Sequence, residues 1–170
     1  MAELNINDIV IHNRDGVCRI TGTTEMNVPD QRLPEKYYVL VPEYAKNTKL
    51  YVPVKTASQK IRPLLSEAEI KDLISRIPEL DFSWIENEKQ RQQSYLQIIA
   101  EGNYTELLKI IGALYRNRRE KEHKGRKFHS SDERLLHDAQ KVIFQEFAFV
   151  LHIKPNEVNA YIEDAIKADS

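Results

Sequence analysis

The spacing of the apolar residues changes once along this chain, between Pro63 and Ser66. Ahead of that point they alternate or run in short β-branched stretches; beyond it they recur at helical spacing to the end. Five of the seven prolines lie at or before Pro63, and after Pro78 only Pro155 remains. Proline and glycine punctuate strands and turns but break helix interiors. The asymmetry therefore predicts an α+β chain of two modules, residues 1–65 built from strands and residues 66–170 from helices.

Several function classes are disfavoured at once. The longest apolar run, Phe147–Leu151, is far too short to cross a bilayer as a helix. The opening Met1-Ala-Glu-Leu-Asn5 lacks both a basic and an apolar targeting region, which predicts a cytoplasmic protein with no membrane role. Cys18 is the single cysteine, and beside Val17 and Ile20 it reads as a structural thiol. No phosphate-binding glycine loop, dinucleotide fingerprint or nucleophile elbow occurs. His129, Glu133 and His137 stand four apart, but two histidines and one acid match no strong zinc spacing, so surface or capping roles are expected. We expect no metal, no cofactor, no small-molecule substrate and no catalytic set: an adaptor with two binding faces rather than an enzyme.

Asp8–His12 and Gly16–Ile20 are β-rich segments separated by Asn13-Arg-Asp-Gly16, and Asp-Gly accepts the positive φ that a tight hairpin needs. Tyr37–Val41 and Lys49–Val54 predict two further strands, and Ile61-Arg62 a short fifth. Five short strands suggest a small, partly open barrel of SH3 or Tudor type. Pro53 inside a strand argues for an edge or a bulge, because proline donates nothing to a ladder. Alternation turns Tyr51 away from Leu50 and Val52, making it the first choice for an interface side chain.

In the second module, about five helices are expected. Ser66 with Glu69, Asn103 with Glu106 and Ser130 with Glu133 each set a capping side chain three residues before an acid, marking helix starts. Gly102 and Gly125 are stops, and Pro155 suits a first turn. Leu107, Ile111 and Leu114 form one apolar face, Val158, Tyr161, Ile162 and Ala165 another, and Leu135, Ala139, Val142, Glu146 and Phe149 a mixed one.

The overall charge of −1 is uneven, for residues 116–127 hold seven basic and two acidic side chains. Arg116, Arg119, Lys124, Arg126 and Lys127 in this stretch suit a polyanion through counterion release; a solvated helix end is the other reading. Trp84, the only tryptophan, falls at an expected helix start after Asp81-Phe-Ser83, on the same flank as Arg91. An aromatic beside a cation can wedge against a base while the guanidinium meets phosphate, or the indole can staple the helix start to a neighbouring domain. The helix itself is expected to bury Ile85, Gln92, Leu96 and Ile99.

With these residues in order, the whole chain resembles the CarD/CdnL family of bacterial transcription regulators, whose β module is similar to the polymerase-interacting domain of transcription-repair coupling factor. The resemblance rests on Asn7-Asp8-Ile-Val-Ile-His12, Gly16–Ile20, Tyr37-Tyr-Val-Leu40, Leu50–Val54 and Ile61-Arg62, then Trp84, Glu101-Gly-Asn103, Leu114-Tyr115 and Ser130–Arg134. It implies that residues 1–65 bind the lobe of the RNA polymerase β subunit, with Met26, Lys49 and Tyr51 at the contact. It implies too that residues 66–170 touch promoter DNA just upstream of the melted region and stabilise the open complex, in a cytoplasmic, nucleoid-associated setting. Trp84 would be the minor-groove wedge, with Lys89, Arg91, Arg116, Arg119, Lys124, Arg126, Lys127 and Arg134 on the DNA side. Asn7 replaces a usual glycine, Ile11-His12 replace Tyr-Pro, and more residues than usual separate Trp84 from Gly102. An adaptor whose helices bind no DNA is the alternative.

Overall fold

A computed structural model describes residues 3–168, with side chains through residue 165. The chain divides into two compact units at Leu65–Ser66.

The first unit is a five-stranded antiparallel sheet in the order β4-β3-β2-β1-β5: β1 Ile9–His12, β2 Gly16–Met26, β3 Glu35–Pro42, β4 Leu50–Pro53 and β5 Ile61–Arg62. Gly16, at φ 72°, closes the β1–β2 hairpin opposite His12. β2 and β3 are longer than expected and pair as far as Met26 with Glu35. The sheet does not close into a barrel, so β4 is an edge strand and Pro53 leaves no gap in a ladder on its outer side. A short helix, α1 Ala57–Lys60, leads into β5, and its Ala57 joins the core of Val10, Cys18, Ile20, Tyr38, Leu40, Val52 and Ile61.

One irregularity decides which way the end of β2 faces. Cys18 and Ile20 point into the core, and strict alternation from them would send Met26 inward too. The register slips between Ile20 and Gly22, so that Gly22 stands opposite Val39, Thr24 opposite Tyr37 and Met26 opposite Glu35. The extra residue reverses the parity of the strand beyond it. Since Val39 and Tyr37 also lie opposite Tyr51 and Pro53, all these residues share the face turned away from the core.

The second unit comprises α2 Glu67–Ser75, α3 Glu88–Glu101, α4 Tyr104–His123, α5 Ser130–Leu151 and α6 Val158–Ala168. The Ser66 capping box is complete: the Glu69 N–H donates to Ser66 Oγ at 3.1 Å, and the Ser66 N–H donates to Glu69 Oε2 at 2.8 Å. Gly102, at φ 72°, ends α3 in the left-handed conformation, and Asn103 caps α4 by accepting from the Glu106 N–H at 3.1 Å. The central helix is α5, which packs against α3, α4 and α6. Leu107, Leu114, Leu135, Ala139, Ile143, Phe147 and Val158 are fully or almost fully buried. Glu146, the polar member of the α5 face, is buried as well and accepts a hydrogen bond from the Tyr104 hydroxyl. Tyr115 Oη accepts from Gln140 Nε2 and Asn159 Nδ2, tying α4 to α5 and α6.

Two expected helix starts are displaced. α3 begins at Glu88 rather than at Trp84, because Asn87 supplies the cap, accepting from the Gln90 N–H at 3.0 Å. Its buried residues are Arg91 and Tyr95, whereas Leu96, expected inside, is 52% exposed. α5 begins one residue early, with His129 at the cap position making no side-chain cap bond. Ser130 is therefore the first helical residue, and Asp132 lies in the first turn facing α3.

Candidate functional site

In the β unit, the outer face presents Tyr51, exposed on edge strand β4, beside Val39 and Pro53, with Met26 farther along the same face. Lys49 is exposed immediately before β4. The three side chains expected at a partner thus lie on one outer surface or at its margin. Cys18 lies in the opposite layer, wholly buried; burial and the nearby Asp15 and Glu43 carboxylates push its thiol up to about 12. A neutral buried thiol is a poor nucleophile.

The helical unit contains a tighter construction. Between Ile77–Glu79, a single 3₁₀ turn, and Asn87, the cap of α3, runs a connection without regular structure that carries Phe82 and Trp84. Its Ser83 N–H donates to Asp81 Oδ1 at 3.1 Å. The Arg91 guanidinium lies 4.4 Å from the centroid of the half-buried Trp84 indole, and the Tyr95 ring meets that indole edge-on at 6.4 Å. Sequence spacing paired Trp84 with Arg91, and the structure brings them together.

It does not leave Arg91 free for phosphate. Arg91 is 3% exposed. Its Nε and Nη2 donate to Asp132 Oδ1 and Oδ2, both at 2.8 Å, while Nη1 donates to the carbonyls of Ile85 at 2.9 Å and Glu86 at 3.3 Å. Asp132 is itself fully buried, so the pair is a desolvated bidentate bridge between α3 and α5. Ser131 adds a parallel tie by donating to Glu88 Oε1 at 2.9 Å. The expected DNA-facing role of Arg91 is therefore corrected: its guanidinium is committed inside the protein. Asp132 was missed from the sequence. Its only signal there is an acid in the first turn of a helix, which ordinarily reads as dipole compensation.

Other cations remain outside. Lys89, Arg116, Arg119, Lys124, Arg126, Lys127 and Arg134 are all exposed. Arg116 places its guanidinium 5.5 Å from the Phe82 ring centroid, which brings α4 to the connection that bears Trp84. Arg134 lines an open cleft of about 530 Å³ between α3 and α5, with Gln92, Leu96 and Asp138. Phe82 rests on Gly112 of α4: a Cβ built there would stand 2.3 Å from Phe82 Cε1. Among the described residues no group of His, Cys, Asp and Glu is placed to hold a metal ion, and no helix is long and apolar enough to cross a membrane.

The chain thus couples an open sheet with an aromatic outer face to a helical unit that exposes several cations and holds one indole on a buried guanidinium. Residues 4–65 match the family model for the CarD-like/TRCF RID domain, and residues 77–163 match that for the CarD C-terminal domain. The chain belongs to the CarD/CdnL family: it is a transcription-associated, RNA polymerase-interacting protein from a family of regulators rather than of known enzymes. No curated protein matches it.

Proposed function

We propose that this protein bridges RNA polymerase and promoter DNA, its β unit docking on the lobe of the β subunit and its helical unit contacting the upstream edge of the melted region to stabilise the open complex. The observation that carries the proposal is the Trp84 indole, held on the Arg91 guanidinium outside any helix, within a unit whose Lys89, Arg116 and Arg119 remain exposed. A supported aromatic in a unit that also exposes cations suits a wedge against an unstacked base step, with phosphates neutralised by the same unit. On the β unit, Met26, Lys49 and Tyr51 are the proposed polymerase contacts: an edge strand with an aromatic outer face can take a partner by strand pairing or surface complementarity. The cell compartment that follows is the nucleoid-bearing cytoplasm.

A second reading, an adaptor that binds polymerase but not DNA, draws support from the half-buried state of Trp84 and the internal commitment of Arg91. Trp84→Ala separates the two. Stacking on a base is worth about 1–3 kcal/mol, so promoter open complexes formed with the variant should decay about 5- to 150-fold faster, with β-lobe affinity unchanged. Removing a half-buried indole should cost the free protein about 2 kcal/mol, below the full-burial range. Open complexes of unaltered lifetime would leave the adaptor standing.

A further inference from the structure

We propose that the buried Arg91–Asp132 pair is a positioning device that fixes Trp84 before any nucleic acid arrives. The inference deepens the wedge reading above and rests on it for its functional consequence, but its structural claim concerns the free protein alone.

The geometry engages three sides of one guanidinium. Two nitrogens donate to Asp132, which anchors Arg91 to α5. The third holds the carbonyls of Ile85 and Glu86, immediately after Trp84. The face of the same planar group supports the indole at 4.4 Å. Residues 80–87 have no regular hydrogen-bonded ladder of their own, so this one side chain supplies both a backbone clamp and a platform for the ring. Lysine, a point cation with three rotatable donors, cannot reproduce a planar clamp of this kind. Asp132 acts at one remove: it fixes the guanidinium plane, and the plane fixes Trp84. A wedge ordered in advance avoids losing rotamer and backbone freedom on binding, which is how preorganisation raises affinity without new contacts.

Burial dictates which variants can probe the pair. Removing one partner would strand a buried charge, whereas replacing both with apolar side chains of similar size is often tolerated. The double variant Arg91→Met/Asp132→Val, whose side chains stay near the originals in size, thus keeps the α3–α5 packing while deleting clamp and platform. Trp84 is the only tryptophan, so intrinsic fluorescence of the full-length protein reads its surroundings directly. The expected result is a red-shifted emission, lower anisotropy and acrylamide quenching increased about twofold, as a half-buried ring held by its neighbours becomes locally mobile. Asp132→Asn, which keeps one carbonyl acceptor for the guanidinium, should fall between, and Arg91→Lys should not restore the native signal. If the double variant does not fold, Asp132→Asn carries the test by the same readouts.

Emission, anisotropy and quenching indistinguishable from the native protein would overturn the positioning role whatever happens on DNA. If they change as expected and open-complex lifetime falls toward that of Trp84→Ala, positioning and wedge both stand. If they change while the lifetime holds, the positioning device is real and the wedge is not.

Discussion

Gly112→Ala tests how the Trp84-bearing connection is seated, and two opposing effects can be set against each other. Gly112 lies inside α4, where alanine is ordinarily better by about 1 kcal/mol. The added methyl, however, would stand 2.3 Å from Phe82 Cε1 and 2.5 Å from Cδ1. No real Cβ tolerates such distances, so the stiff Phe82 ring has to leave. Burying a phenylalanine side chain fully is worth about 1.5–3 kcal/mol, hence roughly half that for this half-buried ring. Strain in its neighbours adds about 1–3 kcal/mol if the ring moves only partway. The clash outweighs propensity, giving a net destabilisation of about 1 kcal/mol, or about 4–8 °C in the melting of a unit this size.

The background Phe82→Ala reverses the sign. With the ring gone its clash with the methyl is gone too, and Gly112→Ala should then stabilise by about 1 kcal/mol through helix propensity. Urea unfolding of the four proteins, followed by Trp84 fluorescence as a probe of the helical unit alone, yields the coupling energy, expected at about 1–3 kcal/mol. If Gly112→Ala stabilises both backgrounds equally, Phe82 does not sit on Gly112 and the seating is wrong.

On the β unit, Tyr51→Glu should abolish β-lobe binding in a pull-down while leaving the melting of the unit unchanged, since the side chain lies outside the core; unaltered binding would remove Tyr51 from the interface. Replacing Arg116, Arg119, Lys124 and Lys127 with alanine should flatten the slope of log DNA affinity against log salt by about 0.9 for each duplex phosphate that is no longer neutralised, and an unchanged slope would make the segment a solvated helix end. The Cys18 thiol should resist Ellman's reagent at neutral pH until the β unit unfolds. Its raised pKa favours the protonated folded state, so this contribution to stability is complete below the ordinary thiol range and drains away as pH climbs toward about 12. A rapid stoichiometric reaction of the native protein would show that Cys18 is accessible.

What was legible in the sequence was local. The change from alternating to helical spacing located the break between the units because each architecture repeats its own period over many residues. The Ser66 box and the Gly102 stop could be read because each is settled within one helical turn. The outward turn of Tyr51 came from alternation over three residues. Met26 shows where alternation fails: one inserted residue beside Gly22 reverses every side chain after it, and Gly22 in a strand was the only hint. Arg91 fails for a different reason. Its spacing from Trp84 was legible, but its partner Asp132 lies 41 residues away on another helix, and a cation with a distant buried partner looks in sequence like any exposed cation.

The connection around Trp84 gathers these non-local terms. It is pinned on one side by Phe82, lodged between Gly112 and the Arg116 guanidinium, and on the other by the Arg91 clamp at Ile85 and Glu86. Trp84 lies between the two pins, so its pose depends on α4 through one and on α3 and α5 through the other. Neither Phe82 nor Arg91 touches DNA in the proposed complex, yet each fixes the backbone on which the indole is mounted. Gly112→Ala and the Arg91/Asp132 replacement should therefore act on the same short segment, and their effects on Trp84 quenching should fall short of additive once either has freed the ring. Sites sharing no partner and lying on different helices ordinarily add, so that shortfall is the signature of a connection held from both ends.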